Sequence, residues 1–305
     1  MYGLNVVKLQ FEWGKSVDCT QVEAKLKAEP DIKVVYTTLS ETSTGVENDI
    51  ETLGRIVRNS PAALVVDAVS GMAAIPFKTD EWNVDVVVVG SQKGLMIPPG
   101  LAFAALSEKA WTLVKNSKLP KYYFSYEKAL KSLKAEKLPD TPYTSSVSLV
   151  IQLHKALELI KAEGIENIWK RHALLAGATR EAVKAIGLSL FVSGTPSNAV
   201  TSIKMPEGVD ASALLKKIRD EYGITLAGGQ GQIKGKIFRI AHLGYVDRLD
   251  VIMTIAAVEM ALSELGYPVK LGSGVSRAQE LLLSGVIPAK AGVSQEGVIP
   301  AKAGI

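Results

Sequence analysis

The sequence predicts an α/β protein: a large domain built on a mostly parallel, doubly wound sheet, followed by a smaller α+β domain. Three observations carry this. Apolar runs of strand length alternate with stretches of helical periodicity from residue 4 to about residue 106, as in a parallel sheet whose crossovers are helices. Four consecutive valines, 86–89, follow Asp85; β-branched side chains suit a pleated backbone, and a strand buried on both faces needs no polar alternation. Beyond residue 186 the strands are short and mixed with helices.

In chain order, residues 4–12 read as a first strand, with Val6, Val7, Leu9 and Phe11 apolar. Asp18 is placed to cap a helix through about Ala28, and residues 33–38 return as a strand. After a polar loop at 40–45, residues 48–58 have helical spacing, with Ile50, Leu53, Ile56 and Val57 on one face. The apolar run 64–70 carries Asp67, and the valine strand stops at Gly90. Residues 101–106 form a further strand and 108–114 a short helix, while 118–142, rich in lysine, tyrosine and proline, reads as an excursion over the surface. Residues 145–163 carry Val147, Val150, Ile151, Leu153, Leu157 and Ile160 at the spacing of a long helix, which 165–186 continues. Strands at 188–192, 200–204 and 237–241 and helices at 211–222 and 248–265 complete the second domain. The expected division is 1–163, 164–275, and a tail, 276–305, expected to be unstructured. The octapeptide at 285–292 recurs letter for letter at 297–304, and two copies are fewer than the roughly three a solenoid needs.

Composition bounds the function classes. The 305 residues include 47% apolar and 22% charged residues with a net charge of +4, ordinary for a globular enzyme. No basic block interleaved with aromatics appears, so nucleic acid is not an expected partner. The lysines between Lys115 and Lys137 are interrupted by Glu127 and Glu136 and read as a solvated helical face. A single cysteine permits no internal disulfide. With no run of about 18 apolar residues and no signal segment, a cytoplasmic protein without membrane contact is expected. His154, His172 and His242 lack metal-ligand spacing and read as surface or helix residues; no metal is expected.

The chemistry centres on 86–100. Lys93 follows the strand's end at Gly90 and precedes the turn-forming Pro98-Pro99-Gly100. Taken alone it is an ordinary loop lysine. Asp67, however, ends another strand separated from the first by a connection long enough for a crossover, so both residues belong at one edge of a parallel sheet, where open α/β sheets bind ligands. A lysine there is positioned for Schiff-base chemistry. An acid and a lysine so arranged match what pyridoxal 5'-phosphate requires: a lysine to form the internal aldimine and an aspartate to keep the pyridine nitrogen protonated.

Ser40-Glu41-Thr42-Ser43-Thr44-Gly45, Val66-Asp67-Ala68-Val69-Ser70, Gly90-Ser91-Gln92-Lys93 and Pro98-Pro99-Gly100, in this order and spacing, closely resemble the class V aminotransferases, in their alanine–glyoxylate and serine–pyruvate branch, over about residues 1–270. The resemblance implies a fold type I pyridoxal phosphate-dependent transferase, a homodimer that moves an amino group from alanine or serine to glyoxylate or pyruvate. It implies that Lys93 forms the aldimine and shuttles the proton, that Asp67 pairs with the pyridinium nitrogen, that Gln92 contacts the phosphate, and that Thr42 bonds near the ring's phenolic oxygen. It assigns Arg239 to the substrate's α-carboxylate, which a planar fork of donors recognises bidentately. It assigns Thr144 to the phosphate of the neighbouring subunit. Simple turn chemistry is the plain alternative for Thr42, and an exposed strand edge for Arg239. The glycine-rich 228–231 reads as a turn rather than a phosphate loop. A cysteine desulfurase is disfavoured, because Cys19 lies on an early helix. The resemblance also begins inside the family's large domain, so the expectation includes an alternative: a truncated, catalytically deficient fragment without the phosphate-binding turn.

Overall fold

The computed structural model describes residues 3–285 except 137 and 139. Two hydrophobic cores organise it. The first lies around a four-stranded sheet of β1 (Val34–Thr38), β4 (Ala63–Asp67), β5 (Val86–Gly90) and β6 (Ala102–Leu106), in the order β1-β4-β5-β6. β4 runs parallel to β1 and β5, whereas β6 is antiparallel to β5. The fold class is therefore α/β, with a mostly parallel sheet.

Helices α1 (Cys19–Ala28) and α2 (Ile50–Arg58) pack with this sheet, and each begins where an aspartate side chain accepts an orphan amide: Asp18 from Thr20 and Asp49 from Thr52. Between them, β2 (Ser40–Glu41) and β3 (Val46–Glu47) form a small hairpin. α3 (Glu108–Asn116) follows β6, and α4 (Tyr126–Leu133) lies within the lysine- and tyrosine-rich excursion. In β5, Val87 and Val89 are buried but Val86 and Val88 only half-buried, so one sheet face is covered more thinly than four valines suggest.

α5 (Val147–Glu163) and α6 (Ile165–Ala185) are separated by Gly164 at φ +84°. Leu153 and Ile160 of α5 pack on the sheet core, while α6 buries Leu175, Ala178, Ala182 and Val183 in the second core. There β7 (Val200–Lys204), β9 (Ile237–Ala241) and β8 (Ala227–Gly228) form an antiparallel sheet in the order β7-β9-β8, covered by α6, α7 (Ala211–Tyr222) and α8 (Arg248–Glu264).

Three expectations are corrected. Residues 4–12 form no strand, because their backbone makes no ladder with β1; they line a groove of about 1220 Å³ between α1 and β1. Residues 188–192 keep only one bridge to β7, Leu190 to Ile203, before Ser193 turns away to bond Gly14. The tail does not begin at 276: α9 (Ser273–Ser284) is helical and buries Ala278 and Leu282 against the second core. The repeat itself, apart from Gly285, lies outside the described residues.

Candidate active site

β4 and β5 run side by side and parallel, so both C-terminal ends open on one edge of the sheet. Asp67 ends β4, where its Oδ1 accepts the Val69 N–H at 2.9 Å and its Oδ2 makes no hydrogen bond among the described residues. Past the end of β5, Ser91 ties off the loop. It is fully buried, its N–H donates to Leu101 O (3.0 Å), its Oγ donates to Pro98 O (2.8 Å), and the same Oγ accepts the Leu101 N–H (3.2 Å).

Lys93 lies inside this closed loop. It is half-buried, and its Nζ makes no hydrogen bond or ion pair among the described residues. The next residue must be glycine, since a Cβ at Gly94 would stand 2.1 Å from Met72 O. The Lys93 carbonyl accepts the Met96 N–H at 2.9 Å, and Met96 holds a left-handed φ of +64°, a conformation a non-glycine side chain keeps only when its surroundings demand it. The Gln92 side chain folds back over Gly90, where a Cβ would lie 2.7 Å from its Oε1.

A second group of residues reaches the same region. The Thr42 hydroxyl, in the turn between β2 and β3, is hydrogen-bonded to the Ser70 hydroxyl, three residues past Asp67. Arg239 on β9 is 7% exposed. Its Nη1 donates to Thr42 O at 2.7 Å and its Nε to Gly228 O at 3.1 Å, while Nη2 makes no hydrogen bond among the described residues. Arg239 is therefore buried rather than on an exposed edge. Burial pulls its guanidinium below the usual arginine range, and the Glu41 carboxylate opposes that shift. The glycine-rich segment is a turn: a Cβ at Gly229 would lie 2.0 Å from Ile233 O.

Thus Asp67 and Lys93 share a sheet edge, and Thr42, Ser70 and Arg239 form one connected group from both cores. Thr144 does not join them; it is exposed on the segment before α5 and makes no side-chain hydrogen bond among the described residues. One buried histidine departs from the surface-or-helix expectation, and a second keeps to its helix but is buried there. His242 is fully buried, donating from Nδ1 to Asn198 O and accepting at Nε2 from the Thr201 hydroxyl, and burial pulls its pKa down to about 3. His172 is on α6 but only 1% exposed. Ser70 had a signal in sequence, since it lies in the Asp67 motif; nothing local marked His172 or its neighbour Arg171.

The family model described as "Aminotransferase class-V" matches residues 1–242. The chain is 41% identical over 285 residues to the "Soluble hydrogenase, small subunit" of Synechococcus sp. (strain PCC 6716), covering 92% of this chain and 73% of that protein. It is 39% identical to the serine–glyoxylate aminotransferase of Arabidopsis thaliana, over 91% of this chain and 70% of that protein. Among solved structures, the pyridoxamine–pyruvate aminotransferase of Mesorhizobium loti superposes with a TM-score of 0.86 at 32% identity, covering 90% of this chain and 71% of that one.

Proposed function

This chain belongs to the class V aminotransferase family and is a pyridoxal phosphate-dependent transaminase, and on that premise we propose that it moves the amino group of alanine or serine to glyoxylate or pyruvate, with Lys93 as the cofactor lysine. The Arabidopsis relative, named for serine and glyoxylate, and the Mesorhizobium enzyme, named for pyruvate, support that substrate class.

The residues present fit the cofactor. One observation carries the reading: at the ends of two adjacent parallel strands stand an amine without a partner, Lys93 Nζ, and a carboxylate with one oxygen unengaged, Asp67 Oδ2, both as defined among the described residues. When bound, the cofactor supplies an aldehyde carbon for an amine and a pyridine ring that accepts the electron pair left at the substrate's Cα. Asp67 would hold a proton on the ring nitrogen by its negative charge. Lys93 Nζ would move the proton to and from the substrate's Cα. Thr42, already bonded to Ser70, would present its hydroxyl to the ring, and Gln92 its amide to the phosphate. Arg239 would bind the α-carboxylate with its unengaged Nη2, oriented by its bonds to Thr42 and Gly228.

We read the protein as a cytoplasmic homodimer in two domains, 1–163 and 164–284, the second extended past 275 by α9. Among the described residues no helix is long and apolar enough to cross a membrane. Next to Thr144, the Tyr143 hydroxyl bonds Tyr122 O, and Tyr122, Phe124, Val147 and Ile151 are exposed; on this surface a second copy would bring Thr144 to the neighbouring phosphate. The test is an absorbance spectrum of the full chain with pyridoxal phosphate, then borohydride reduction and peptide mapping. A visible band that changes on adding alanine or serine, with label on Lys93, is expected. Label scattered over surface lysines would overturn the reading and leave a chain with the family's signature but no function.

A further inference from the structure

We propose that Arg171, His172 and Glu163 are positioning residues for Lys93, acting through the turn at Gly244. The inference rests on the reading of Lys93 as the cofactor lysine. Gly244 has a φ of +86°, where glycine is favoured, and packs directly against the lysine loop. A Cβ there would meet Met96 Cγ at 3.3 Å and lie 3.9 Å from the Lys93 carbonyl oxygen. That oxygen is the acceptor of the Met96 N–H, and Met96 is the left-handed non-glycine residue of the loop. Such a backbone persists only while neighbouring structure over-determines it. The Gly244 turn is that neighbour.

Side chains of α5 and α6 hold the turn. Arg171 is 2% exposed and engages Glu163 through two parallel bonds, Nε to Oε1 at 2.6 Å and Nη2 to Oε2 at 3.1 Å. Its Nη1 then donates to the carbonyls of Gly244 (3.0 Å) and Val246 (2.9 Å). His172 Nε2 accepts the Gly244 N–H at 2.9 Å. Burial first, and the neighbouring Arg171 charge second, pull His172 down to about 4, so its ring stays a neutral acceptor near pH 7. Adjacent residues of one helix thus grip both the N–H and the C=O of Gly244. A buried ion pair is weak evidence of stability, and here its remaining donors are spent on one turn beside the lysine. Loosening the turn frees Lys93 while leaving Arg239, anchored separately by Thr42 and Gly228, in register.

The test compares the full-length wild type with His172→Leu, which removes the acceptor, His172→Gln, which returns one, and Arg171→Lys, which keeps charge but not the fork. Without cofactor, hydrogen–deuterium exchange of residues 91–101 is expected to quicken about threefold or more in His172→Leu and Arg171→Lys while residues 200–204 keep their rate, and to recover in His172→Gln. With pyridoxal phosphate, kcat is expected to fall about 10- to 100-fold, with KM for the amino acid within about twofold and borohydride labelling of Lys93 slowed in step. Unchanged exchange at 91–101 in a folded variant overturns the proposal. So does a loss carried wholly by KM, or failure of both variants to fold, either of which assigns these residues a purely structural role. A wild type that never labels at Lys93, while 91–101 still responds to the variants, overturns the cofactor reading and supports the coupling.

Discussion

At the edge where β4 and β5 end, Lys93 Nζ has no partner among the described residues and Asp67 engages only one oxygen. In the layer of α6, α8 and α9, the buried charges of Arg171 and Glu259 are bound up. Arg171 donates from three nitrogens, and the Glu259 carboxylate, 2% exposed, accepts the Gly272 and Gly274 N–H groups at 2.7 and 2.6 Å. The difference follows from access to water. A buried charge must spend its donors or acceptors on protein, because an unpaired one is costly. A charge at a half-open sheet edge can keep them for a ligand.

Four experiments break or sharpen this contrast. Lys93→Ala should cost about 10²- to 10⁴-fold or more in transamination rate. It should leave the urea midpoint almost unmoved, within about 0.5 kcal/mol, because the amine makes no bond to lose; a large stability loss would erase the contrast. Arg171→Met is expected to do the reverse to the fold, destabilising it by about 3–5 kcal/mol by leaving Glu163 buried without its partner, as read from denaturant unfolding. Glu259→Gln should cost about 1–3 kcal/mol, since it weakens the bonds that hold the N-terminus of α9. Protease sensitivity confined to the C-terminal helix would locate that loss.

The last experiment is stability against pH. His172 and His242 are held neutral in the folded chain, at about 4 and about 3, so below pH 6.5 the unfolded chain binds more protons. Their contribution is fully present above about 6.5 and is lost as the pH falls toward 4 and 3. Glu47, pushed up to about 7 by burial, acts oppositely: its contribution is present below about 4.5 and is lost as the pH rises through 7. Two groups against one leave a net of about one proton, so stability should fall by about 1.4 kcal/mol per unit between pH 6 and 5. A flat profile there would mean that the histidines are not buried as described.

The strand-end pair was legible because it is local: a run of valines, a glycine and a lysine, with an aspartate closing the neighbouring run. The helix capped by Asp18 was equally legible, whereas α4, capped by Ser125, lies inside what reads as a surface excursion. The hairpin of β2 and β3 was not, since two-residue strands carry no periodicity. α9 was obscured by the repeat that follows it. The apolar alternation at 4–12 misled, because alternation specifies a face but not a ladder partner.

By itself the sequence determined the fold class, the family, and the placement of Asp67 and Lys93 at one sheet edge, because strand period, caps and crossover length are properties of contiguous residues. Only the tertiary structure decided that Arg239 reaches Thr42, that His242 is buried, and that Arg171 and His172 grip Gly244. Those contacts join residues 40 to nearly 200 positions apart, and whether a charged side chain meets water or a carbonyl depends on what the rest of the chain packs against it.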